Sequence, residues 1–347
     1  MSRSGRFQKF LCLTAIAIGI LAAGAWRAEA GYVQTNLVSD GLVPAVVTDP
    51  NLKNPWGVSH SAASPFWVSD QGTSLATLYS VTGAGISKLG LEVAIPKTAS
   101  GPQGPTGQVF NNTSSFPVNG TPASFIFANL NGTISAWNGS AGTPTQLEAT
   151  ATGAVYTGLA ISSGPLLYAA DGAQNRIDVF NGSFAPVSLG PNAFKDPDPR
   201  LAGLVPFNVQ NIGGNIYVTY ALPGRPAEIG APEGSGAVAI FDANGNLIQT
   251  LIAGSKLASP WGTALTPPGW GQFGGDLLVG NFSFTASEIN AFDPGTGAFL
   301  GTIPIDDGGH PGGLWALNFG IGGQNGGPNT LFFSDGINGE ADGLFAP

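Results

Sequence analysis

LLYAADGAQNRIDVFNGSF, at residues 166–184, contains two runs of apolar residues separated by a short polar segment. The second run is followed by Asn181-Gly182. Short apolar runs bounded by turn-forming residues are typical of β-strands, and Asn-Gly is typical of tight hairpin turns. The stretch therefore predicts two neighbouring antiparallel strands.

The first of these runs recurs along the whole chain at intervals of about 50 residues, a period typical of propellers. Its six copies are FWVSD (66–70), FIFAN (125–129), LLYAAD (166–171), IYVTY (216–220), LLVGN (277–281) and LFFSD (331–335). Each copy is mainly apolar, as expected of a strand buried on both faces. A similar start phrase precedes each one: NPWGV (54–58), GPTGQV (104–109), VYTGLA (155–160), LVPFNV (204–209), SPWGTAL (259–265) and PGGLWAL (311–317).

Two further strands are predicted in each unit. The third strands are ATLYSV (76–81), TISAWN (133–138), RIDVFN (176–181), AVAIFD (237–242), EINAFD (288–293) and GLFAP (343–347). The fourth, more polar strands are LEVAI (91–95), TQLEA (145–149), FAPVSL (184–189), LIQTLI (247–252) and FLGTIPI (299–305). Each unit therefore has the strands of one propeller blade.

The sixth unit reaches Pro347 without a fourth strand. YVQTNLV (32–38) has the alternating pattern of an outer strand, and its pairing with residues 343–347 would close the ring and remove two exposed sheet edges. We therefore predict an all-β fold: a single six-bladed β-propeller domain over residues 31–347. A pair of β-sandwiches is the alternative, which the even spacing of six units disfavours.

Composition supports this fold class. The 347 residues include 53 glycines and 27 prolines, which interrupt helices and exclude a helical bundle. A hydrophobic content of 43% is enough for a core and excludes a disordered chain.

The first thirty residues have the pattern of a secretory signal peptide. Arg3, Arg6 and Lys9 precede an apolar run at residues 10–25, and Ala28-Glu29-Ala30 follows as a cleavage-type triplet. We predict cleavage after Ala30 and a secreted or periplasmic protein. No later segment is apolar for long enough to span a bilayer, so no membrane span is expected after cleavage.

Removal of the leader would also remove the only cysteine, Cys12. Disulfides, thiolate catalysis and cysteine-ligated metals are thereby excluded from the mature chain. The formal net charge of the whole chain is −9, and it becomes more negative when the basic leader is removed. Nucleic acid is therefore not an expected partner, because phosphate binding needs clustered lysine and arginine.

Residues 166–184 resemble the NHL-type propeller repeat. Over residues 32–345 the chain is similar to an uncharacterised family of secreted bacterial proteins, on the motifs NPWGVSHSAASPFWVSDQGTSLATLY, GPTGQVFN, FIFANLNGTISAWN, FNVQNIGGNIYVTYA, SPWGTAL, LLVGNF, INAFDPGTG and LWALNFG. Members often end in a PEP-CTERM sorting tail, which is absent after residues 343–347. The resemblance implies a propeller that is released or stays in the periplasm, and it implies no activity.

Polar residues end most of the second strands, on what is predicted to be one rim of the propeller. They are Asp70, Asn129, Asp171, Asn281 and Asp335. Their oxygens could hold a hard cation such as Ca²⁺ at the channel mouth, or each side chain could cap its own turn. Capping is favoured because the feature recurs in nearly every unit, so no cofactor is expected and Ca²⁺ is the only candidate.

Trp56, Trp261 and Trp315 open three of the innermost strands. They are predicted either to line the channel and stack on a flat ligand such as a sugar, or to wedge adjacent blades apart, and blade packing is favoured. The long connection at residues 221–236 is expected to overhang the rim, where loops on rigid scaffolds often carry function.

The leading function predicted is a non-enzymatic extracellular binding or scaffold propeller, monomeric, with a carbohydrate or protein ligand. The alternative is a Ca²⁺-dependent lactonase or hydrolase with its site at the channel mouth. Gluconolactonase-like enzymes place Asn or Asp at the start of several innermost strands, and here only Asn54 fits that pattern. His60 and His310 have no accompanying G-x-S-x-G nucleophile motif, which disfavours a hydrolytic triad.

Overall fold

The structure, a computed structural model, describes residues 31–99 and 101–347, and their regular secondary structure is almost entirely short, mostly antiparallel β-strands. The predicted signal peptide at residues 1–30 lies outside the described residues. Tyr32–Pro347 forms one compact unit. Within this unit six sheets of four or five strands are arranged as a six-bladed β-propeller, which confirms the predicted fold.

Each blade runs from an innermost strand to an outermost strand, and blades 1 to 6 are numbered in chain order. The innermost strands are Pro55–Ser59, Pro105–Phe110, Tyr156–Ile161, Val205–Ile212, Pro260–Leu265 and Gly313–Phe319. The second strands are Phe66–Asp70, Phe125–Asn129, Leu167–Asp171, Asn215–Ala221, Leu277–Asn281 and Leu331–Gly336. The third strands are Leu75–Thr82, Thr133–Trp137, Arg176–Phe180, Ala237–Phe241, Glu288–Phe292 and Leu344–Ala346.

The outermost strands range from two to seven residues in length, and in blades 1 to 5 they are more exposed than the strands inside them. They are Gly85–Lys88, Gln146–Thr150, Pro186–Val187, Leu247–Ala253, Phe299–Pro304 and, in blade 6, Val38–Ser39. Outside this pattern lie the strands Val47–Thr48 and Val93–Ala94, the hairpin of Pro117–Val118 and Thr121–Pro122, the α-helix Arg225–Ile229 and the 3₁₀-helices Pro199–Leu201 and Gly271–Phe273. No helix in the described part of the chain is long and apolar enough to cross a membrane.

Glycines near the start of the innermost strands let successive blades approach closely. A Cβ atom at Gly57 would overlap the carbonyl oxygen of Thr106 in the next blade, and one at Gly107 would overlap the backbone of Leu159. Only glycine fits such a close approach of two backbones. The repeated glycine seen in the sequence therefore marks the contact between neighbouring blades around the channel.

The amino-terminal segment closes the ring, as predicted. Val38 pairs with Phe345 and Ser39 pairs with Leu344 in antiparallel register. The Leu37 amide also donates to the Phe345 carbonyl at 3.1 Å. The last blade is thus built from both ends of the described chain, which leaves its third strand covered.

Blade 1 differs from the prediction at its outermost strand, which was expected at residues 91–95. The structure places it at Gly85–Lys88, directly after a tight turn in which Thr82 pairs with Gly85. Val93–Ala94 instead pairs with the beginning of the third strand, at Leu75 and Ala76. The tight turn after Thr82 is the reason for this difference. It pairs Gly85–Lys88 with the end of the third strand, so Val93–Ala94 can pair only with the beginning of that strand.

Candidate functional site

A cavity of about 490 Å³ opens at one mouth of the central channel. It lies where the innermost strands begin and where the connections from second to third strands pass, so several blades contribute to it. The residues that line it are Asn54, Trp56, Gln71, Pro102, Leu130, Val155, Thr157, Gly172, Ala173, Phe207, Gly224, Arg225, Glu228 and Glu340. Most of this lining is apolar, with a few amide and charged groups among it.

A cluster of aromatic rings fills the channel beneath the cavity. Trp56 stacks on Trp315 with ring centroids 3.5 Å apart, and Trp261 meets both rings nearly edge-on. Phe282 stacks on the Trp315 ring at 4.3 Å. The Trp261 Nε1–H group donates to the carbonyl oxygen of Thr157 at 2.8 Å, which joins blade 5 to blade 3 across the channel.

The structure therefore brings together the three tryptophans singled out in the sequence. All three are buried, and of the three only Trp56 lines the cavity. Trp261 and Trp315 lie in the ring cluster beneath it. The Nε1–H of Trp56 is buried without a hydrogen-bond partner among the described residues, which is unusual because a buried indole N–H normally finds an acceptor.

Arg225 lies over this aromatic cluster. Its Cζ atom is 4.3 Å from the ring centroid of Phe282, 5.5 Å from that of Trp315 and 5.7 Å from that of Trp56. These distances are typical of cation–π contacts, which reach to about 6 Å. Arg225 comes from the connection at 221–236 that was expected to overhang the rim.

Two carboxylates form ion pairs with this guanidinium. Glu228, one turn along the same short helix, lies 3.1 Å from Arg225 Nη1, and Glu340 from blade 6 pairs with Nη2. Burial raises the pKa of Glu228, and the charge of Arg225 opposes this shift. The cavity wall thus holds one cation between two acidic side chains.

Asn54 connects the cavity wall to the aromatic cluster. Its Oδ1 accepts from Trp315 Nε1 at 2.9 Å, and its Nδ2 donates to Gln71 Oε1 at 2.8 Å and to Glu340 Oε1 at 2.9 Å. Its amide is therefore fully engaged in holding the wall. Asn54 is the one position that fitted the gluconolactonase-like pattern, and its oxygen is directed at an indole rather than left free for a metal.

The polar residues at the ends of the second strands lie inside the blades. Asp70, Asp171 and Asn281 are fully buried, and none of them lines the cavity. Asp171 Oδ1 accepts from the amides of Val155 and Gln174, each at 3.1 Å. The geometry at Asp171 is thus that of a turn cap, and its pKa is raised by burial.

Asn281 does not cap its own turn and binds the loop that precedes the innermost strand of blade 5. Its Oδ1 accepts from the Ala258 amide at 3.0 Å, and its Nδ2 donates to the Lys256 carbonyl at 2.8 Å. Asp70 instead accepts from the Thr77 hydroxyl at 2.7 Å, and burial raises the pKa of Asp70 well above its usual range.

Asn129 and Asp335 complete this set. Asn129 donates to the Thr133 hydroxyl at 2.9 Å. Both carboxylate oxygens of Asp335 are buried without a hydrogen-bond partner among the described residues, and burial raises its pKa to about 7. In the described part of the chain no three His, Cys, Asp or Glu side chains form a group that could hold a metal ion.

Neither histidine lines the cavity. His60 follows the innermost strand of blade 1, at the end away from the cavity, and its Nε2 lies 3.0 Å from the Phe319 carbonyl oxygen. Burial lowers the pKa of His60. The loop that carries Arg225 and Glu228 was expected from the sequence. Glu340, Gln71 and Phe282 were not, because they belong to other blades and come together only when the ring closes.

Comparison with known proteins identifies relatives of this chain. No family model matches it. An uncharacterised protein of Acanthamoeba polyphaga mimivirus is 31% identical over 282 residues, which cover 78% of this chain and 69% of the viral protein. The chain belongs to the family of this viral protein. A second uncharacterised mimivirus protein is 29% identical over 294 residues, 81% of this chain and 76% of its own length. Membership in the family of secreted bacterial proteins that the sequence resembles stays a prediction.

Solved structures with the same architecture are more distant in sequence. Catalytically inactive virginiamycin B lyase from Staphylococcus aureus with quinupristin has a TM-score of 0.50 and 15% identity, covering 86% of this chain and 82% of the lyase. A streptogramin B lyase has a TM-score of 0.51 and 13% identity, covering 91% and 96%. A protein of unknown function from Bacteroides thetaiotaomicron has a TM-score of 0.52 and 11% identity, covering 90% and 76%. At these identities the likeness shows the fold alone.

Proposed function

We propose that the protein is a non-enzymatic binding propeller that takes a small organic ligand in the cavity at the channel mouth. The observation that carries this proposal is the cavity itself, whose volume of about 490 Å³ is within the range of ligand pockets. Its mostly apolar wall with a few convergent polar groups is the usual composition of such sites.

The backbone beside the cavity directs two polar groups into its wall. Asn54 and Glu340 both have left-handed backbone conformations, with φ of 44° and 70°. Here they place an amide and a carboxylate in the wall of one cavity.

The metal-dependent lactonase or hydrolase gains less support. The polar second-strand ends are turned into the blades, and the Asn54 oxygen accepts from Trp315. A Ca²⁺ site would therefore need ligands other than those expected from the sequence. We rank this reaction below binding for that reason.

We further propose that the protein is exported and acts as a monomer in the periplasm or outside the cell, with NHL-like repeats. The support for export is the basic, apolar and small-residue pattern of residues 1–30. Mass spectrometry of the protein from the producing cell tests this, because an exported chain should begin at Gly31. Light scattering would give the molecular mass in solution, and a dimer mass would contradict the monomer.

A thermal-stability screen with turnover assays tests the binding function. The purified protein is melted with organic cations, carboxylates, sugars and aromatic compounds, since a ligand that binds only the folded state raises its stability. Lactone and ester substrates are assayed in parallel, with added Ca²⁺ and with a chelator. We expect stabilisation by at least one compound class and no turnover. Hydrolysis that is lost when a chelator is added would contradict the binding function and support the metal-dependent lactonase or hydrolase.

A further inference from the structure

The surroundings of Arg225 have the composition of a site for an organic cation. We define the cation cage as the rings of Trp56, Phe282 and Trp315 with the carboxylates of Glu228 and Glu340. Aromatic faces and carboxylates together favour a positively charged group, and aromatic cages of this kind recognise alkylammonium ligands. The Arg225 guanidinium fills the cage in this structure.

We propose that the cation cage recognises a guanidinium or alkylammonium group of the ligand, and that the Arg225 side chain is a resident occupant which the ligand replaces. This inference rests on the proposed binding function and specifies the class of its ligand. It assigns the charge of the ligand, which neither the fold nor the relatives indicate.

The charge balance of the wall favours a cation over an anion. Of the residues that line the cavity, Arg225 is the one cation, and Glu228 and Glu340 both lie against it. A cationic ligand that replaces the guanidinium keeps two favourable ion pairs. An anionic ligand that drew Arg225 away would leave two carboxylates facing a third negative charge.

The parts of the cage differ in how firmly they are held. Trp56 and Trp315 belong to innermost strands, and Phe282 directly follows a second strand. Glu340 is fixed by its hydrogen bond from Asn54. These groups are therefore held by contacts that do not involve Arg225.

Glu228 is also retained, because its end of the short helix is anchored. The Ser259 hydroxyl donates to the Glu228 carbonyl at 2.9 Å, and the Phe284 amide donates to the Ile229 carbonyl at 3.1 Å. Arg225 lies at the other end of the helix, next to Gly224 with φ of 88°, and its side chain is 36% exposed. The guanidinium can therefore turn outward while the acidic and aromatic groups stay.

Chemical rescue of Arg225→Ala tests the cage directly. Methylguanidinium restores the missing group, and methylurea is a neutral molecule of nearly the same shape. We expect a lowered melting temperature for the variant, a saturable rise with methylguanidinium, and a Kd for methylguanidinium at least ten times lower than for methylurea. Arg225→Met, which keeps an apolar stem over the rings, serves in the same experiment if the alanine variant does not fold.

Two controls separate the cage from non-specific salt effects. Arg176→Ala removes an exposed arginine that pairs with Asp178 at 2.6 Å on the blade surface, and methylguanidinium should stabilise it no more than it stabilises the wild type. Adding Glu340→Gln to Arg225→Ala should weaken methylguanidinium binding about tenfold. Equal binding of methylurea, equal rescue of Arg176→Ala, or no rescue of either Arg225 variant would overturn the cation cage.

The outcome for the cage is distinguishable from the outcome for the proposed function. If only neutral or anionic compounds stabilise the wild-type protein, through the cavity, then the binding function stands and the cage is wrong. If the Arg225 variants are rescued but no compound stabilises the wild type, then the cage chemistry is present and the proposed function fails.

Discussion

Asn54 and Glu340, 286 positions apart in the chain, are joined by a hydrogen bond of 2.9 Å at the wall of the channel-mouth cavity. Asn54 precedes blade 1 and Glu340 belongs to blade 6, so this bond lies where the ring closes. Both residues have positive φ. The same contact thus joins the first and last blades and helps to build the cavity wall.

Asn54→Ala should destabilise the protein by about 2–4 kcal/mol, because it removes hydrogen bonds to three side chains and puts alanine at positive φ. Urea unfolding measures this change. Asn192→Ala, at an exposed position, is the matched control and should stay within about 0.5 kcal/mol of the wild type. Equal effects of the two substitutions would show that the Asn54 contacts contribute nothing.

Deletion of residues 31–41 should lower the melting temperature strongly. It removes Val38, which is fully buried, and exposes the edge of the strand Leu344–Ala346. Val33→Ala alters a side chain that is 84% exposed and should leave the melting temperature unchanged. If the deletion variant has the same melting temperature as the wild type, then closure by this strand does not stabilise the propeller.

Asp335→Asn should stabilise the protein at pH 8 and have much less effect at pH 5. Burial, with a smaller contribution from Asp307, raises the pKa of Asp335 to about 7 in the folded protein. The folded state therefore binds a proton that the unfolded state has lost between pH values of about 4 and 7, so stability falls as pH rises across this window.

The size of this effect follows from the shift in the Asp335 pKa. Ionising the buried carboxyl costs roughly 4 kcal/mol of folding free energy above pH 7, and asparagine avoids this cost. Comparing urea unfolding of wild type and variant at both pH values removes the contribution of the other buried acids. A difference that does not change between pH 5 and pH 8 would contradict a raised pKa.

Asn281→Ala should destabilise the protein by about 1–3 kcal/mol through loss of its hydrogen bonds to Lys256 and Ala258, equally with chelator and with Ca²⁺. Asp171→Ala should behave in the same way, because its carboxylate accepts two backbone amides. Thermal melts of both variants and of the wild type in the two conditions test this. A large Ca²⁺-dependent shift in the wild type that either substitution abolishes would establish a metal site on this rim.

The blade pattern and the ring closure could be predicted because every unit repeats the same apolar strands and turns. The outermost strand of blade 1 could not, since residues 91–95 have a strand-like pattern and the tight turn after Thr82 outweighs it. The three channel tryptophans were recognisable as a set. Their mutual stacking was not, because it depends on distances across the closed ring.

The polar wall of the cavity was harder to foresee. Glu340 lies in a loop, and its backbone conformation, which no periodicity encodes, directs it to Asn54 and Arg225. Asp70, Asp171 and Asn281 were correctly placed at strand ends, but the sequence does not show that they turn into the blades. Side-chain direction at a strand end depends on packing between strands, which only the assembled blade defines.

Titration calorimetry on two tryptophan variants tests most directly whether the channel-mouth cavity is the ligand site. Ala173→Trp adds a bulky ring to an exposed turn of blade 3 that lines the cavity. Ala63→Trp adds the same ring to an exposed turn of blade 1 at the end away from the cavity. The titrant is the compound that most stabilises the wild type in the screen. We expect one molecule bound per chain, affinity at least tenfold weaker in Ala173→Trp, and unchanged affinity in Ala63→Trp. Unchanged affinity in Ala173→Trp would show that the ligand binds outside the channel-mouth cavity.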